Sequence, residues 1–440
     1  MISPWLAMPA VLVTFAAMVA GLAAVQRQIA PHPEVVRKLL HVGMGLVVLS
    51  FPWLFDAVWP VATLAGLAAG GLLAVRVLPL LRDRLGRVVS DVQRPSLGEI
   101  YYPLAVALVW GFSFSRGDEL LYLIPMLILT LADAVAALIG LRYGTLRYQT
   151  LDGFKSAEGS VAFFTVAFLS SHVPLLLLSD VGRPESLLIG LILGLLVALI
   201  EAISWRGLDN LAIPLGAFVF LLLYRDEPPP VLGLRLAATL ALVAFALAWR
   251  RRTTLDDSSL MAAGLFGYAA WMIAGWLWLI PPLVLFLVHT LAWPRTGPRY
   301  HNVYAVLSVT SAGLVWLFLY ALTRNGQLLI PYAIAFAAHL AIIGVSRIAW
   351  QPEKGRPGWR VAGSSVAGWG LCFIPVLLMR ERWLLMSAGA AGGGLVLIAA
   401  TAFYLLIPRL YQPSARPAVI HVWGAVLGGL ASLPAAMAFA

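Results

Sequence analysis

The chain of 440 residues has one cysteine, Cys372, and it lies in an apolar run. No intrachain disulfide can form, and there is no cysteine cluster to bind a metal. Charge is also scarce. Only 11% of residues are Asp, Glu, Lys or Arg, against about 25% in a soluble domain. Acids are the scarcer sign, 20 against 30 Lys and Arg, for a net charge of +10. In so apolar a chain that excess reports loop orientation and affinity for anionic headgroups. No RNA-binding motif or basic soluble domain is visible, so no nucleic-acid partner is expected. A P-loop is absent as well. The N-terminus lacks a basic n-region, and the first positive charge, Arg27, follows the first apolar run. That segment does not read as a cleaved signal. Its charge order predicts an N-terminus outside the cytoplasm.

Apolar length is what the chain does have. It is 61% hydrophobic with a mean hydropathy of +0.90, which excludes a set of soluble domains. Runs of about 17–25 apolar residues are long enough to span a bilayer. Sixteen occur, near 5–26, 39–55, 57–80, 101–115, 119–140, 157–179, 185–204, 208–224, 230–249, 258–276, 277–294, 302–322, 328–347, 362–380, 383–407 and 418–438. The run at 101–115 is short enough to be re-entrant. The pair at 258–276 and 277–294 is poorly separated, so the expectation is an all-α polytopic membrane protein of 14–16 transmembrane helices.

Charge tests that register. Of the 30 Lys and Arg, 23 fall in odd-numbered loops and 7 in even-numbered ones. The odd set includes Arg82, Arg84, Arg87 and Arg94, then Arg142, Arg147 and Lys155, and later Arg347, Lys354, Arg356 and Arg360. The positive-inside rule places these loops in the cytoplasm and both termini outside. The clearest internal boundary is RDEPPPVLGLR, because consecutive prolines cannot continue a helix. It predicts a catalytic membrane domain at 1–224, a linker at 225–235 and a second helical domain at 236–440. No strong repeat relates the halves.

Ionisable groups inside spans are costly, roughly 2.5–3.5 kcal/mol near a helix centre, and their default reading is functional. The first half concentrates them on its cytoplasmic side. In VVRKLLHVGMG, Arg37 and His41 share a helix face beside Lys38; a snorkelling basic flank reads the same way. In RPSLGEIYYPLA, Glu99 stands where a basic loop meets a span, a position that the helix dipole alone would favour. The segment LADAVAALIGLRYGTLRYQTLDGFKSAEGS is the most informative. Asp133 lies in an uninterrupted apolar span, with no neighbouring Lys or Arg in its own helix. Gly140 and Gly144 suit close helix packing, but packing does not account for the aspartate.

Downstream, Lys155, Ser156, Glu158 and Gly159 open the next span. A lysine beside a helix N-terminus suits a phosphate. An aspartate upstream suits Mg²⁺, which binds through one or two carboxylates plus substrate phosphates. Asp133, Lys155 and Glu158 therefore read as a metal-phosphate site, although Glu158 is favourable in a first turn without any ligand. In EAISWRGLDNLAIPLGAF, Glu201 ends one span while Asp209 and Asn210 start the next. Asp209 reads either as a helix cap or as part of a metal or nucleotide site with Asp133.

These pieces together resemble the integral-membrane CTP-dependent lipid-alcohol kinases, the family of phytol kinase, dolichol kinase and the fungal-type diacylglycerol kinase. The match runs through RKLLHVG, GEIYYPLA, LADAVAALIGLRYG, KSAEGS and LDNLAIPL, over about residues 35–224. The resemblance implies CTP as phosphate donor, Mg²⁺ as cofactor and a membrane lipid alcohol as acceptor. It implies that Arg37 and Lys38 contact triphosphate, that Asp133 holds Mg²⁺, and that Gly140 and Gly144 lie beside the nucleotide. Lys155, Glu158 and Gly159 would sit at the triphosphate. Glu99, Glu201, Asp209 and Asn210 match family positions whose roles the resemblance leaves open; Glu201 and Asp209 are expected with Asp133 at the metal, Asn210 at the nucleotide, and Glu99 or Glu158 as acceptor of the hydroxyl proton.

The glycine-and-KSAEG part also looks like the CTP-using phosphatidate cytidylyltransferases, whose longer C-terminal signature is not visible. The second half faintly resembles the phytyl-phosphate kinase membrane family, in TTLDDSSLMAAGLFGYAAW and RPGWRVAGSSVAGWGL. Where that family carries an acidic motif, AIAFAAHLAIIGVSR has His339 and no carboxylate. Its few acids, Asp256, Asp257, Glu353 and Glu381, lie near loops, so this half is expected to be catalytically silent. A transporter would distribute ionisable residues over both halves at mid-membrane, which this chain does not do. The expected setting is a bacterial-type inner membrane with a cytoplasm-facing site.

Overall fold

Hydrocarbon offers no water to backbone N–H and C=O groups, so apolar runs of this length close their hydrogen bonds within helices. The computed structural model describes residues 3–29, 32–78, 97–292, 301–346, 357–378, 382–410 and 417–439. Each of the sixteen predicted spans holds a helix. Arg82, Arg84, Arg87, Arg94, Arg347, Lys354, Arg356, Glu353 and Glu381 lie outside the described residues. Among those described, nine helices are long and apolar enough to cross a bilayer. The fold is an all-α, multi-pass membrane protein.

The described chain forms two units, Met1–Ala241 and Leu242–Ala440. The first begins with α1 (Pro4–Ile29), α2 (Pro33–Leu49), the short α3 (Phe51–Leu54) and α4 (Val58–Val77). It continues with α5 (Gly98–Phe114), α6 (Leu120–Tyr143), β1 (Arg147–Thr150), β2 (Gly153–Ser156), α7 (Ala157–Leu178), α8 (Arg183–Ile203) and α9 (Asp209–Tyr224). Proline stands in the first turn of α2 and of α8, where its missing N–H costs nothing. α10 (Pro229–Trp249) also starts on proline. Residues 229–235 of the expected linker are therefore helical, and the two units divide within α10.

One element departs from the helical pattern. β1 and β2 form an antiparallel hairpin with Tyr148 opposite Lys155 and Thr150 opposite Gly153. The sequence reading has only a short basic loop here. The hairpin spans the gap between α6 and α7, the helices that carry Asp133 and Glu158.

The second unit holds α11 (Asp257–Ala274), α12 (Trp276–Ala292), α13 (Val303–Thr323), a 3-10 turn (Gly326–Leu328), α14 (Leu329–Ser346), α15 (Pro357–Leu378), α16 (Arg382–Leu410) and α17 (Pro417–Phe439). The poorly separated pair of spans resolves into α11 and α12 at Gly275. Its φ of +89° is strained for residues with a side chain and open to glycine. α14 is the central helix of this unit and is buried on nearly every side. Asp256 is spent on capping α11, accepting from Ser259 N–H at 2.7 Å and Ser258 Oγ at 2.9 Å. His339 lies in the core of α14, with Nδ1 2.9 Å from the Ala335 carbonyl.

Candidate active site

α2 packs on α6 through a small residue. A Cβ on Gly45 would lie 2.2 Å from Thr130 Oγ1, so glycine lets the two backbones approach. That approach joins Lys38 Nζ to Asp133 Oδ2 at 2.6 Å, with both side chains nearly dry. His41 stacks in below, with Nε2 3.6 Å from the same oxygen and 2.9 Å from the Leu129 carbonyl. The edge of Tyr102 closes that side. Asp133 looks isolated in sequence because its own helix holds no nearby cation. Its partner comes from α2, 95 positions earlier. Arg37 turns outward and pairs with Glu34 at 2.5 Å.

The hairpin delivers the second cation. Lys155 Nζ donates to Glu201 Oε1 at 2.7 Å and also to the Glu201 backbone carbonyl. Burial alone would push the ammonium pKa down, but the neighbouring Glu201 carboxylate outweighs it and holds the pKa above the usual lysine value. Lys155 is therefore charged at neutral pH and fixed on the end of α8. On the same hairpin, the Tyr148 hydroxyl lies 2.8 Å from Ser160 Oγ and ties β1 to α7.

The start of α7 is satisfied from within the protein. Ala157 N–H donates to the Leu146 carbonyl at 2.8 Å, and Gly159 N–H donates to Ser156 Oγ at 3.1 Å. Glu158 turns back over the preceding turn, accepting from Thr145 N–H at 3.0 Å, Leu146 N–H at 3.1 Å and the Thr145 hydroxyl. Ser156 is thus the N-cap of α7, and Glu158 closes the Thr145–Leu146 turn. Gly140, Gly144 and Gly159 bring the end of α6 against the start of α7. A Cβ on Gly144 would lie 2.8 Å from Ser156 Cβ, and one on Gly159 3.0 Å from the Ala136 carbonyl. These glycines pack helix on helix and hold Ser156 between them.

Glu201 and Asp209 flank the turn between α8 and α9. Asp209 lies within electrostatic range of Asp133, Lys155, Lys38 and Glu201, and the charge of Arg37 is felt at Asp133 and Asp209. Elements distant in sequence thus gather one charged cluster from α2, α6, α8 and α9. Asn210 Nδ2 donates to the Gly98 carbonyl at 2.9 Å, docking α9 on α5. Glu99 stands exposed at the start of α5, within electrostatic range of Arg37 and Arg76.

Among the described residues, no three His, Cys, Asp or Glu side chains are placed to hold a metal ion unaided. Asp133 and Asp209 carry hard oxygen donors of the kind Mg²⁺ takes together with substrate phosphates, and one Asp133 oxygen is engaged by Lys38 at 2.6 Å.

Sequence reasoning passed over Thr145, Asp152 and Arg206. Asp152 accepts from the Arg206 backbone N–H. The Asp152-Gly153 dipeptide was the available signal, since Asp-Gly marks tight turns between strands.

No family model matches the chain, and no solved structure matches it. Among curated proteins, the phytol kinase of Synechocystis sp. is 34% identical over 185 residues, which cover 42% of this chain and 76% of that protein. Identity at that level, over most of a known member's length, places this chain in the phytol kinase family.

Proposed function

We propose that the chain is a lipid-alcohol kinase that uses CTP and Mg²⁺ to phosphorylate the hydroxyl of an isoprenoid alcohol such as phytol, geranylgeraniol or a polyprenol. The likeness to a phytol kinase supports the reaction class. The observation that carries the assignment to a site is the charged cluster of Lys38, Asp133, Lys155, Glu201 and Asp209 at one end of the bundle.

Phosphoryl transfer asks a protein mainly for positioning and charge neutralisation. Lys155, charged and fixed, takes the triphosphate together with Arg37, the exposed cation of α2, at the cytoplasmic face; Lys38, expected from the resemblance to contact triphosphate, is buried on Asp133 instead. Asp133 and Asp209 would hold Mg²⁺, which when bound would supply charge neutralisation to the phosphates. Lys38 and His41 hold the Asp133 carboxylate in one orientation. Glu158, Ser156 and the three glycines fix the turn that leads into the hairpin, and Asn210 fixes α9 on α5. Glu99, exposed and near Arg37, is the proton acceptor for the lipid hydroxyl, because the Glu158 oxygens are occupied by backbone N–H groups. The alcohol approaches from the bilayer, leaving its tail between apolar helices. The second unit, whose Asp256 is a helix cap and whose central helix has no carboxylate, carries no chemistry.

The test is a purified-protein assay of labelled CTP and ATP against a panel of lipid alcohols. The expected result is a lipid monophosphate plus nucleoside diphosphate, dependent on Mg²⁺. Release of pyrophosphate would indicate nucleotidyl transfer. No turnover with any alcohol, in protein that still binds nucleotide, would refute the kinase reading.

A further inference from the structure

The turn between α8 and α9 is held in an unusual shape. Arg206 has a φ of +52° and Gly207 one of +82°. For a residue with a side chain, that conformation is disfavoured and persists only where neighbours over-determine it. Two neighbours do so through a single residue. The Arg206 N–H donates to the Asp152 carboxylate at the hairpin tip. The Arg206 carbonyl accepts from Leu97 N–H at 3.0 Å, just before α5. The Arg206 side chain itself is exposed.

The same turn joins Glu201, three residues after which α8 has ended, to Asp209 at the start of α9. The hairpin therefore meets this segment at two points, Asp152 on Arg206 N–H and Lys155 on Glu201. With the strands in register, a tie at the tip limits how far β2 can swing away from α8.

We propose that Asp152 is a positioning residue for the phosphate-binding lysine. By gripping the Arg206 N–H, it holds the hairpin against the α8–α9 turn and keeps Lys155 at Glu201, beside Asp209. This rests on the assignment of Lys155 to the donor phosphates, and it adds a residue that contacts no substrate.

The experiment compares Asp152→Ala, Asp152→Asn and Arg206→Gly in the full-length protein in detergent micelles. Steady-state kinetics with varied nucleoside triphosphate is paired with amide hydrogen exchange of the hairpin, residues 147–156. Losing a charged hydrogen bond should raise the donor KM about tenfold in Asp152→Ala, with kcat within about twofold, and speed exchange across the hairpin. Asp152→Asn keeps an acceptor and should fall between. Arg206→Gly keeps both backbone bonds and removes the strain, so it should match the wild type in both readouts. An unchanged donor KM in Asp152→Ala, or an Arg206→Gly variant equally impaired, would overturn the proposal. If the wild type transfers no phosphoryl group, the kinase reading fails by itself. Hydrogen exchange still decides the tie, and an Asp152→Ala hairpin as protected as the wild type refutes it.

Discussion

Lys38 and Asp133 stand 95 positions apart in sequence and 2.6 Å apart in space, on two helices that meet through a glycine. Each neutralises a charge that the other's apolar surroundings could not tolerate alone.

Breaking that pair from one side should be expensive. Asp133→Asn leaves a buried ammonium uncompensated and should cost about 3–5 kcal/mol of stability, as well as abolishing turnover. Had the aspartate been unpaired, the same substitution would have cost little. The double variant Lys38→Met, Asp133→Asn should recover most of the stability and none of the activity. Thermal unfolding in detergent, read beside the kinase assay, checks both. A stable, active Asp133→Asn protein would remove this carboxylate from the site.

Lys155 should act on the donor, not the acceptor. Lys155→Met removes a charge fixed at Glu201 and should lower kcat/KM for nucleotide at least about thirtyfold, from roughly 2 kcal/mol of lost interaction. The KM for the lipid alcohol should hardly move. His339→Ala, in the second unit, should leave most of the turnover intact. The reverse pattern would shift the chemistry to that unit.

Glycine positions should divide by what surrounds them. Gly144→Ala forces a Cβ against Ser156, and overpacking of this kind costs about 1–3 kcal/mol. Gly70→Ala meets nothing within 4 Å and should stabilise α4 by up to about 1 kcal/mol through helix propensity. Unfolding midpoints that shift alike for both would argue against close packing at the α6–α7 corner.

Topology can be read with one reporter at a time. Cys372 is fully buried, so replacing it gives a silent background. A cysteine at position 147, on the exposed start of the hairpin, should label only from the cytoplasmic side. One at position 5 should label only from the other. Labelling of both positions from one side would undo the charge-based orientation.

The helices were legible because each is a long apolar run, a signal that needs no tertiary information. Gly275 was harder. Its apolar neighbours run on without a charge, and the break comes from a single backbone angle. The hairpin was missed because R-Y-Q-T and G-F-K-S show no apolar alternation, leaving Asp152-Gly153 as the one cue. Candidate residues such as Asp133 and Lys155 stood out by their cost in a membrane. Lys38 and Glu201 stood out too, but the pairings did not, because Lys38 with Asp133 and Lys155 with Glu201 are products of helix packing. For the same reason Glu158 looked available from sequence, whereas its oxygens close the Thr145–Leu146 turn.

The ion pair between α2 and α6 also bears on how the chain is made. Ribosomes deliver α2 to the bilayer long before α6, and of the long helices α2 is the least apolar. Until residue 133 has emerged, the acid within range of Lys38 is Glu34, one turn earlier on α2 and already paired with Arg37. α2 must then wait at the headgroups, or inside the insertion machinery, for a helix synthesised about 95 residues later. A nascent chain arrested before α6 would therefore hold its second span poorly, and the site's central contact would double as the step that commits the first unit to the membrane.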